Sequence, residues 1–294
     1  MCMVNGLTIK NTLALLFNLY KIFLANLFEL SYFLINKLPR GKISTSIGLE
    51  KIWNRVVKIK VNESYLYFHS PNWLTEYRAR TLLTKEPETI AWIDQIPEGS
   101  TFYDIGANIG IYSIYGAFKR NLKVVSVEPS PLNLELLFRN IQSNQLQSNI
   151  TILPIALSNE DNVQNLYMQQ GDNIWGGAHN SSGSIMSQDG SFMKDFIVSS
   201  QFAMKIDSLI LNCNLPVPSF LKIDVDGLEI LVLEGALTTL RGISEILIEV
   251  DQKNLENNRK VGNLLKNTGF IQLEYIGGIK LMENQIWQNA MVGK

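Results

Sequence analysis

The run Thr101-Phe-Tyr-Asp104-Ile-Gly106-Ala-Asn108-Ile-Gly110 constrains this chain more than any other. It reads as a short apolar strand ending in an acid, a turn holding two glycines, and the start of a helix over 110–119. A strand that feeds directly into a helix opens a crossover, and the pattern repeats downstream. Lys123 to Glu128 is a β-rich run ending in a second acid. Pro131 to Gln145 spaces Leu134, Leu137, Phe138 and Ile141 as a helix does. Ile150 to Ile155 is a third strand. After a long Gly-, Ser- and Asn-rich stretch, Phe220 to Asp224 is a strand and Leu228 to Leu240 a helix. Glu245 to Val250 is again a strand, and Leu255 to Thr268 a helix. Such alternation predicts an α/β fold, a mostly parallel sheet with helices on both faces. The end, Phe270 to Tyr275 and Lys280 to Gln288 around Gly277-Gly278, predicts a β-hairpin.

Composition narrows the partners. With 46% hydrophobic and 18% charged residues among 294, a large core is assured. The net charge is −1 and no basic stripe runs along the chain, which speaks against a nucleic-acid partner. Cys2 and Cys213 are too few and too distant for a disulfide framework or a metal site. Three Asn-x-Ser/Thr triplets, at Asn62, Asn149 and Asn180, are of a kind that arises by chance. A cytoplasmic protein is expected.

Three regions are expected: an amphipathic N-terminal helix within 1–42, a cap or lead-in over 43–98, and the catalytic domain over 99–294. Residues 12–35 are apolar enough to span about 36 Å as a helix. Asn18, Lys21, Asn26 and Glu29 gather on one side of that helix, and a lone lipid-spanning helix carries such groups at a cost. A helix packed on the core or on a second copy, or lying in the inner face of a membrane, needs no such sacrifice. The apolar run is too long for a signal peptide, and no small-residue cleavage site follows. In the cap, strands at 56–61 and 65–68 flank the turn Asn62-Glu63-Ser64, and a helix over 75–95 is interrupted by Pro87.

The turn after the first crossover strand is a candidate cofactor loop. Gly106 removes a Cβ where the chain bends sharply, and Gly110 lets the next helix pack closely. By themselves these fit a turn with no ligand. Glu128 lies 18 residues past Gly110, where an acid can accept hydrogen bonds from the hydroxyls of a ribose. A nicotinamide dinucleotide site wants G-x-G-x-x-G; the residues here at those spacings are Gly106, Asn108 and Ile111. S-adenosylmethionine carries an ammonium and a sulfonium in place of phosphates. Asp104, just before the loop, suits that cation and would repel a pyrophosphate.

At this point the chain resembles the FkbM family of methyltransferases. Asp104-Ile-Gly-Ala-Asn-Ile-Gly-Ile-Tyr112 is similar to the family's first motif and Glu128-Pro-Ser-Pro-Leu-Asn133 to its second, followed by Leu136, Asn140 and Asn144. Pro154-Ile-Ala-Leu-Ser158 resembles the third. Lys222-Ile-Asp-Val-Asp-Gly-Leu-Glu229 and Leu233-Glu-Gly235 resemble the distinctive fourth, and Ile248-Glu249 the last. The resemblance covers about residues 75–252, with one departure at Asp226, where Glu is the commoner residue. It implies a Rossmann-like class I methyltransferase, a seven-stranded sheet with the C-terminal hairpin added. It also implies S-adenosylmethionine as methyl donor, held by Asp104, Gly106, Ala107, Asn108, Gly110, Glu128 and Ala156. Transfer to a hydroxyl oxygen follows, on a sugar of a surface polysaccharide or glycolipid, or on a polyketide-type natural product.

A sugar hydroxyl is a poor nucleophile and needs help with its proton. Asp224 ends the fourth crossover strand, at the sheet edge where such folds bind ligands, and is the first candidate base. Glu229 and Glu249 are the next, although Glu229 could instead pair with Lys222, and Asp226 could only cap a helix. Asp224, Asp226 and Glu249 would also suit a divalent metal, but carboxylates alone do not establish one, and none is expected. Residues 169–200 are long for a structureless connection. Trp175, His179 and Ser184 there could line an acceptor pocket, and His179 could serve as base; His69 reads as structural. The competing functions are a nicotinamide-dependent oxidoreductase, which lacks its fingerprint here, and a non-catalytic scaffold that binds a cofactor and docks on a membrane.

Overall fold

The computed structural model describes residues 22–35, 37, 46–48, 50, 51, 53–169, 174–178, 180–183, 195–281 and 284–292. The chain divides into two units, residues 1–55 and 56–294. In the first, residues 22–35 form helix α1, whose Phe23, Leu27, Phe28, Leu30 and Phe33 are exposed. Residues 12–21, the first part of the expected amphipathic helix, lie outside the described residues. Among those described, no helix is long and apolar enough to cross a membrane.

The second unit opens with β1 (Val56–Val61) and β2 (Ser64–His69), an antiparallel pair closed at Val61↔Ser64 by Asn62, whose φ of 54° suits the turn. Helix α2 (Trp73–Arg80) starts at Asn72, whose side chain accepts from the Thr75 N–H in a reciprocal capping box. The expected helix over 75–95 breaks there. A second helix, α3 (Pro87–Gln95), begins at Pro87, which has no N–H to miss in a first turn.

Then come β3 (Thr101–Ile105), α4 (Ile111–Arg120), β4 (Lys123–Val127), α5 (Pro131–Ser143) and β5 (Ile150–Leu153). The stretch with no predicted elements contains β6 (Ala156–Leu157), β7 (Asn162–Gln169), β8 (Asn180–Ser182) and β9 (Phe196–Met204). These make a separate sheet in the order β6-β9-β7-β8, with β7 and β9 paired over eight positions. Helix α6 (Ile206–Cys213) leads to β10 (Phe220–Ile223), α7 (Glu229–Glu234), β11 (Glu245–Glu249) and α8 (Leu255–Asn267). The chain ends in β12 (Phe270–Gln272), β13 (Tyr275–Ile276), β14 (Ile279–Lys280) and β15 (Asn284–Asn289).

The main sheet has seven strands in the order β12-β15-β11-β10-β3-β4-β5. Every neighbouring pair from β11 to β5 is parallel, and β15 runs antiparallel to β11 and β12. This is the Rossmann-like class I methyltransferase arrangement, a doubly wound sheet with a reversed strand inserted near one edge. The terminal hairpin is split. The Gly277-Gly278 turn joins only the short β13 and β14, while β12 and β15 pair within the main sheet.

Successive residues of each central strand enter opposite core layers. Phe102 packs with Trp92, Ile114 and Leu247 on one face; Tyr103 and Ile105 pack with Leu221, Ile246 and Val232 on the other. With both faces covered, β10 is buried at all four positions, as parallel strands are. Helix α7 is shorter than its apolar pattern suggests. At Gly235 an added Cβ would lie 2.1 Å from the Ser158 carbonyl oxygen, so the helix ends where the loop before β7 crosses it.

Candidate active site

The strand order reverses between β3 and β10, and at such a switch point the carboxyl ends of the strands part to leave a crevice. A cavity of about 320 Å³ lies there. That is within the range of ligand sites, which run from about 300 to 1,000 Å³. Ile105, Gly106, Asn108, Glu128, Pro129 and Ala156 line one half; Tyr77, Arg78, Lys85, Asp224, Asp226 and Glu249 line the other.

The first half is built by the turn from β3 to α4. Gly106 has a φ of +80°, and a Cβ on it would sit 1.8 Å from the Asp224 carbonyl oxygen. Its glycine therefore allows the ends of β3 and β10 to touch. Gly110, at φ +84°, serves a different contact: a Cβ there would lie 2.4 Å from Leu137 of α5. The five N–H groups of the turn are all engaged within the protein. Gly106 and Ala107 donate to the Val127 carbonyl at 2.9 and 3.0 Å, and Asn108 donates to Glu128 Oε2 at 2.8 Å. Ile109 donates to Asn108 Oδ1 at 2.9 Å and Gly110 to the Ala107 carbonyl at 2.8 Å. A pyrophosphate is held by free N–H groups at such a turn, and this one offers none.

Glu128, 4% exposed, follows β4 and faces the cavity. Besides Asn108, it accepts from the Ser130 N–H at 2.9 Å and from Asn133 Nδ2 at 3.3 Å. Burial pushes its pKa up to about 7, against the pull of those three hydrogen bonds. A carboxylate has about four acceptor positions, so about one is left, on Oε2, for a ligand hydroxyl.

The second half holds a carboxyl pair. Asp224 follows β10 and Glu249 ends the adjacent β11. Lys222, 1% exposed, donates to Asp224 Oδ2 at 2.8 Å and lies 5.0 Å from the Tyr112 ring centre. Burial alone would raise the Asp224 pKa, but the charge and hydrogen bond of Lys222, the Lys85 charge and a hydrogen bond from Glu249 together hold the carboxyl below the usual range. The Asp224 charge, with burial added, pushes Glu249 up to about 9. At neutral pH the pair therefore keeps one proton, on Glu249, in a hydrogen bond to the ionised Asp224. Lys85 also reaches this half, and donates to Glu86 Oε1 at 2.5 Å.

Residues 174–178 wall the cavity through Gly177 and Ala178, and side chains from three elements fasten them. Asn72 donates to the Trp175 carbonyl at 2.9 Å and Arg78 Nε to that of Gly176 at 2.7 Å. Asn108 and Asn133 both donate to the Gly177 carbonyl, at 2.9 and 3.1 Å, and Asn133 Oδ1 accepts from the Gly176 N–H at 2.9 Å. Trp175 turns away from the cavity and donates to Glu135 at 3.3 Å.

The other candidates fall as follows. Ala156 lines the cavity and Ala107 an adjoining crevice. Asp104 is 1% exposed and does not line the cavity. Its Oδ2 accepts from Ser113 at 2.5 Å, its Oδ1 has no partner, and burial raises its pKa. Glu229 is also 1% exposed and off the cavity. It accepts from the Gly227 N–H at 2.8 Å and from Asn257 at 2.6 Å, tying α7 to α8, while Lys222 bonds Asp224 instead. Asp226 lines the cavity at a φ of 51°, and the cap of α7 is Leu228. His69 bonds Ser143 at 3.0 Å, and burial lowers its pKa. His179 and Ser184 lie outside the described residues. Among those described, no group of three His, Cys, Asp or Glu side chains could hold a metal ion. Arg78 and Lys85 were not foreseen from sequence, because α2 and the turn after it carry no motif. Asn133 stood in the Glu128-to-Asn133 block but was not singled out.

The site fits S-adenosylmethionine better than a dinucleotide. It offers an acid with spare acceptor capacity after β4, apolar Ile155 and Leu157 beyond it, and carboxylates facing the centre, with no free N–H nest. The family described as the methyltransferase FkbM domain matches residues 104–271. The hexuronic acid methyltransferase AglP of Haloferax volcanii is 22% identical over 174 residues, 59% of this chain and 65% of that protein, so under two thirds of its length is matched. Among solved structures, the precorrin-6Y C5,15-methyltransferase of Geobacter metallireducens is 14% identical, with a TM-score of 0.39 over 71% of this chain and 89% of that one. The C-terminal domain of the Rhodobacter capsulatus precorrin-6Y C5,15-methyltransferase is also 14% identical, with a TM-score of 0.38 over 70% and 88%.

Proposed function

The chain belongs to the FkbM methyltransferase family, and on that premise we propose that it transfers a methyl group from S-adenosylmethionine to a sugar hydroxyl, with Asp224 as the base. The observation that carries this reading is the Asp224–Glu249 pair, which lines the same cavity as Glu128, with the buried Lys222 bonded to Asp224. The cofactor supplies an electrophilic methyl carbon on a sulfonium, and the protein has to align an oxygen with it and keep water out. Ionised Asp224 accepts a hydrogen bond from the acceptor hydroxyl and so turns a lone pair of that oxygen toward the donor half. As the O–C bond formed and the sulfonium's S–C bond broke, with neutral S-adenosylhomocysteine leaving, the hydroxyl would become a strong acid and pass its proton to the Asp224 carboxylate. A base with a depressed pKa is competent for such a late transfer. Protonated Glu249 keeps Asp224 in place, and residues 174–178 close one side of the cavity. A sugar acceptor is supported by the polar lining of the second half and by the name of the relative from Haloferax volcanii.

Incubation of the full chain with S-adenosylmethionine and a panel of hexoses, hexuronic acids and glycolipids, read by mass spectrometry, tests the reading. We expect a product heavier by one methylene. We expect Asp224→Asn to bind S-adenosylhomocysteine as the wild type does and to lose about 100-fold or more in kcat. Full turnover by Asp224→Asn would remove Asp224 from its role.

A further inference from the structure

We infer that Arg78 and Lys85 hold the carboxylate of the methyl donor's methionine tail, in a crevice that continues the cavity beneath α2. This rests on the reading of the cavity as the donor site. Glu128 fixes the ribose end at β4, and Ile155, Ala156 and Leu157 lie beyond it on the β5 side. The tail must then run the other way, past Gly106 toward β10. There a crevice of about 50 Å³ opens, lined by Arg78, Thr81, Lys85, Glu86, Tyr112 and Asp224 among others. A water needs about 10–15 Å³ by this measure, so the space takes a few groups of that size, as an ammonium and a carboxylate require.

The charges in the crevice suit a zwitterion. The tail's carboxylate finds no donor on the glycine turn, where all five N–H groups are used. It must turn to side-chain cations. Of the three that line the crevice, Lys222 is bonded to Asp224 beside the Tyr112 ring. Arg78 is fixed at Nε by the Gly176 carbonyl, and its two terminal NH₂ groups have no partner among the described residues. That leaves a two-pronged edge already oriented, the form in which arginine binds carboxylates best. Lys85 gives one of its three hydrogens to Glu86 and adds a second positive charge. The tail's ammonium then faces Glu86.

Two ligands separate this from a general effect on the site. S-adenosylhomocysteine carries the amino-acid tail; 5′-methylthioadenosine has the same adenosine and sulfur without it. Calorimetric titration of the full chain should show Arg78→Gln, and independently Lys85→Gln, weakening S-adenosylhomocysteine about 10- to 100-fold. Binding of 5′-methylthioadenosine should change less than about twofold. Arg78→Lys should recover part of the loss. Equal weakening of both ligands would mean that Arg78 acts only through Gly176, and no weakening of either would mean that the tail lies elsewhere; each overturns the inference. A wild type that binds neither ligand would overturn the donor-site reading itself.

Discussion

At the scale of single residues, the site turns on which carboxyl carries the proton. If Asp224 is the base, kcat is level through neutral pH and falls only in acid, as pH drops through its depressed pKa. If Glu249 were the base, activity would instead climb toward pH 9, where that group ionises. A pH–rate profile between pH 5 and 10 separates the two, and the level profile is expected. Gly106 allows a sharper forecast. A methyl group there meets the Asp224 carbonyl at 1.8 Å with φ at +80°, so Gly106→Ala should cost about 3 kcal/mol or more in a denaturant titration. The places of Gly106, Glu128 and Asp224 at the turn and strand ends that line the cavity were legible in the sequence, because strand ends and turn glycines announce themselves. Asp104 was legible only by position. Its place at a strand end said that it lies at the ligand edge, but not that its carboxyl turns inward to Ser113. Arg78 and Lys85 left no mark at all, since they reach the cleft through packing of the lead-in region on the sheet.

At the scale of elements, residues 174–178 and α5 act together. Asn133 bonds Glu128, Gly176 and Gly177 at once, so it links Glu128 to the segment that walls the cavity. Asn133→Ala should loosen both. Hydrogen exchange at Gly176 should speed up, and S-adenosylhomocysteine should bind about tenfold more weakly, as befits two or three lost buried hydrogen bonds. An unchanged exchange rate would show that the other clasping side chains suffice. The crossover elements were legible from periodicity because each buries one stripe or one face. The sheet of β6 to β9 was not. Val163 and Phe202 point outward at 62% and 65% exposure, so the usual inside–outside alternation is blurred there. Helix α7 was overestimated for a related reason: apolar spacing continues past Gly235, whereas the helix ends at Glu234 and Gly235 leaves room for the loop at Ser158 to cross.

At the scale of the molecule, several buried acids set the pH dependence of stability. Glu128 and Glu229 are raised to about 7 and Glu249 to about 9, from an ordinary value of 4.5. The folded chain therefore binds these protons more tightly than the unfolded one. Their contribution weakens as pH rises from the ordinary value through 7 and on to 9. Asp207 and Asp224, held below 3.8, act in the opposite sense and lose their contribution in acid. Thermal melting should therefore peak in the mildly acidic range and decline toward pH 9. Glu249→Gln, which mimics the protonated form, should raise Tm at pH 8 by a few degrees, at about 2–4 °C per kcal/mol for a chain of this size, and should do nothing below pH 4. The seven-stranded order with its reversed β15 places Glu128, Asp224 and Glu249 at the carboxyl ends of β4, β10 and β11, around one cavity.

The most direct test is a calorimetric titration of the full chain with S-adenosylhomocysteine and, in parallel, with NADH. The structure predicts one binding site for S-adenosylhomocysteine, lost in Glu128→Gln while the variant still melts cooperatively, and no heat with NADH. Saturable NADH binding with none for S-adenosylhomocysteine would contradict it.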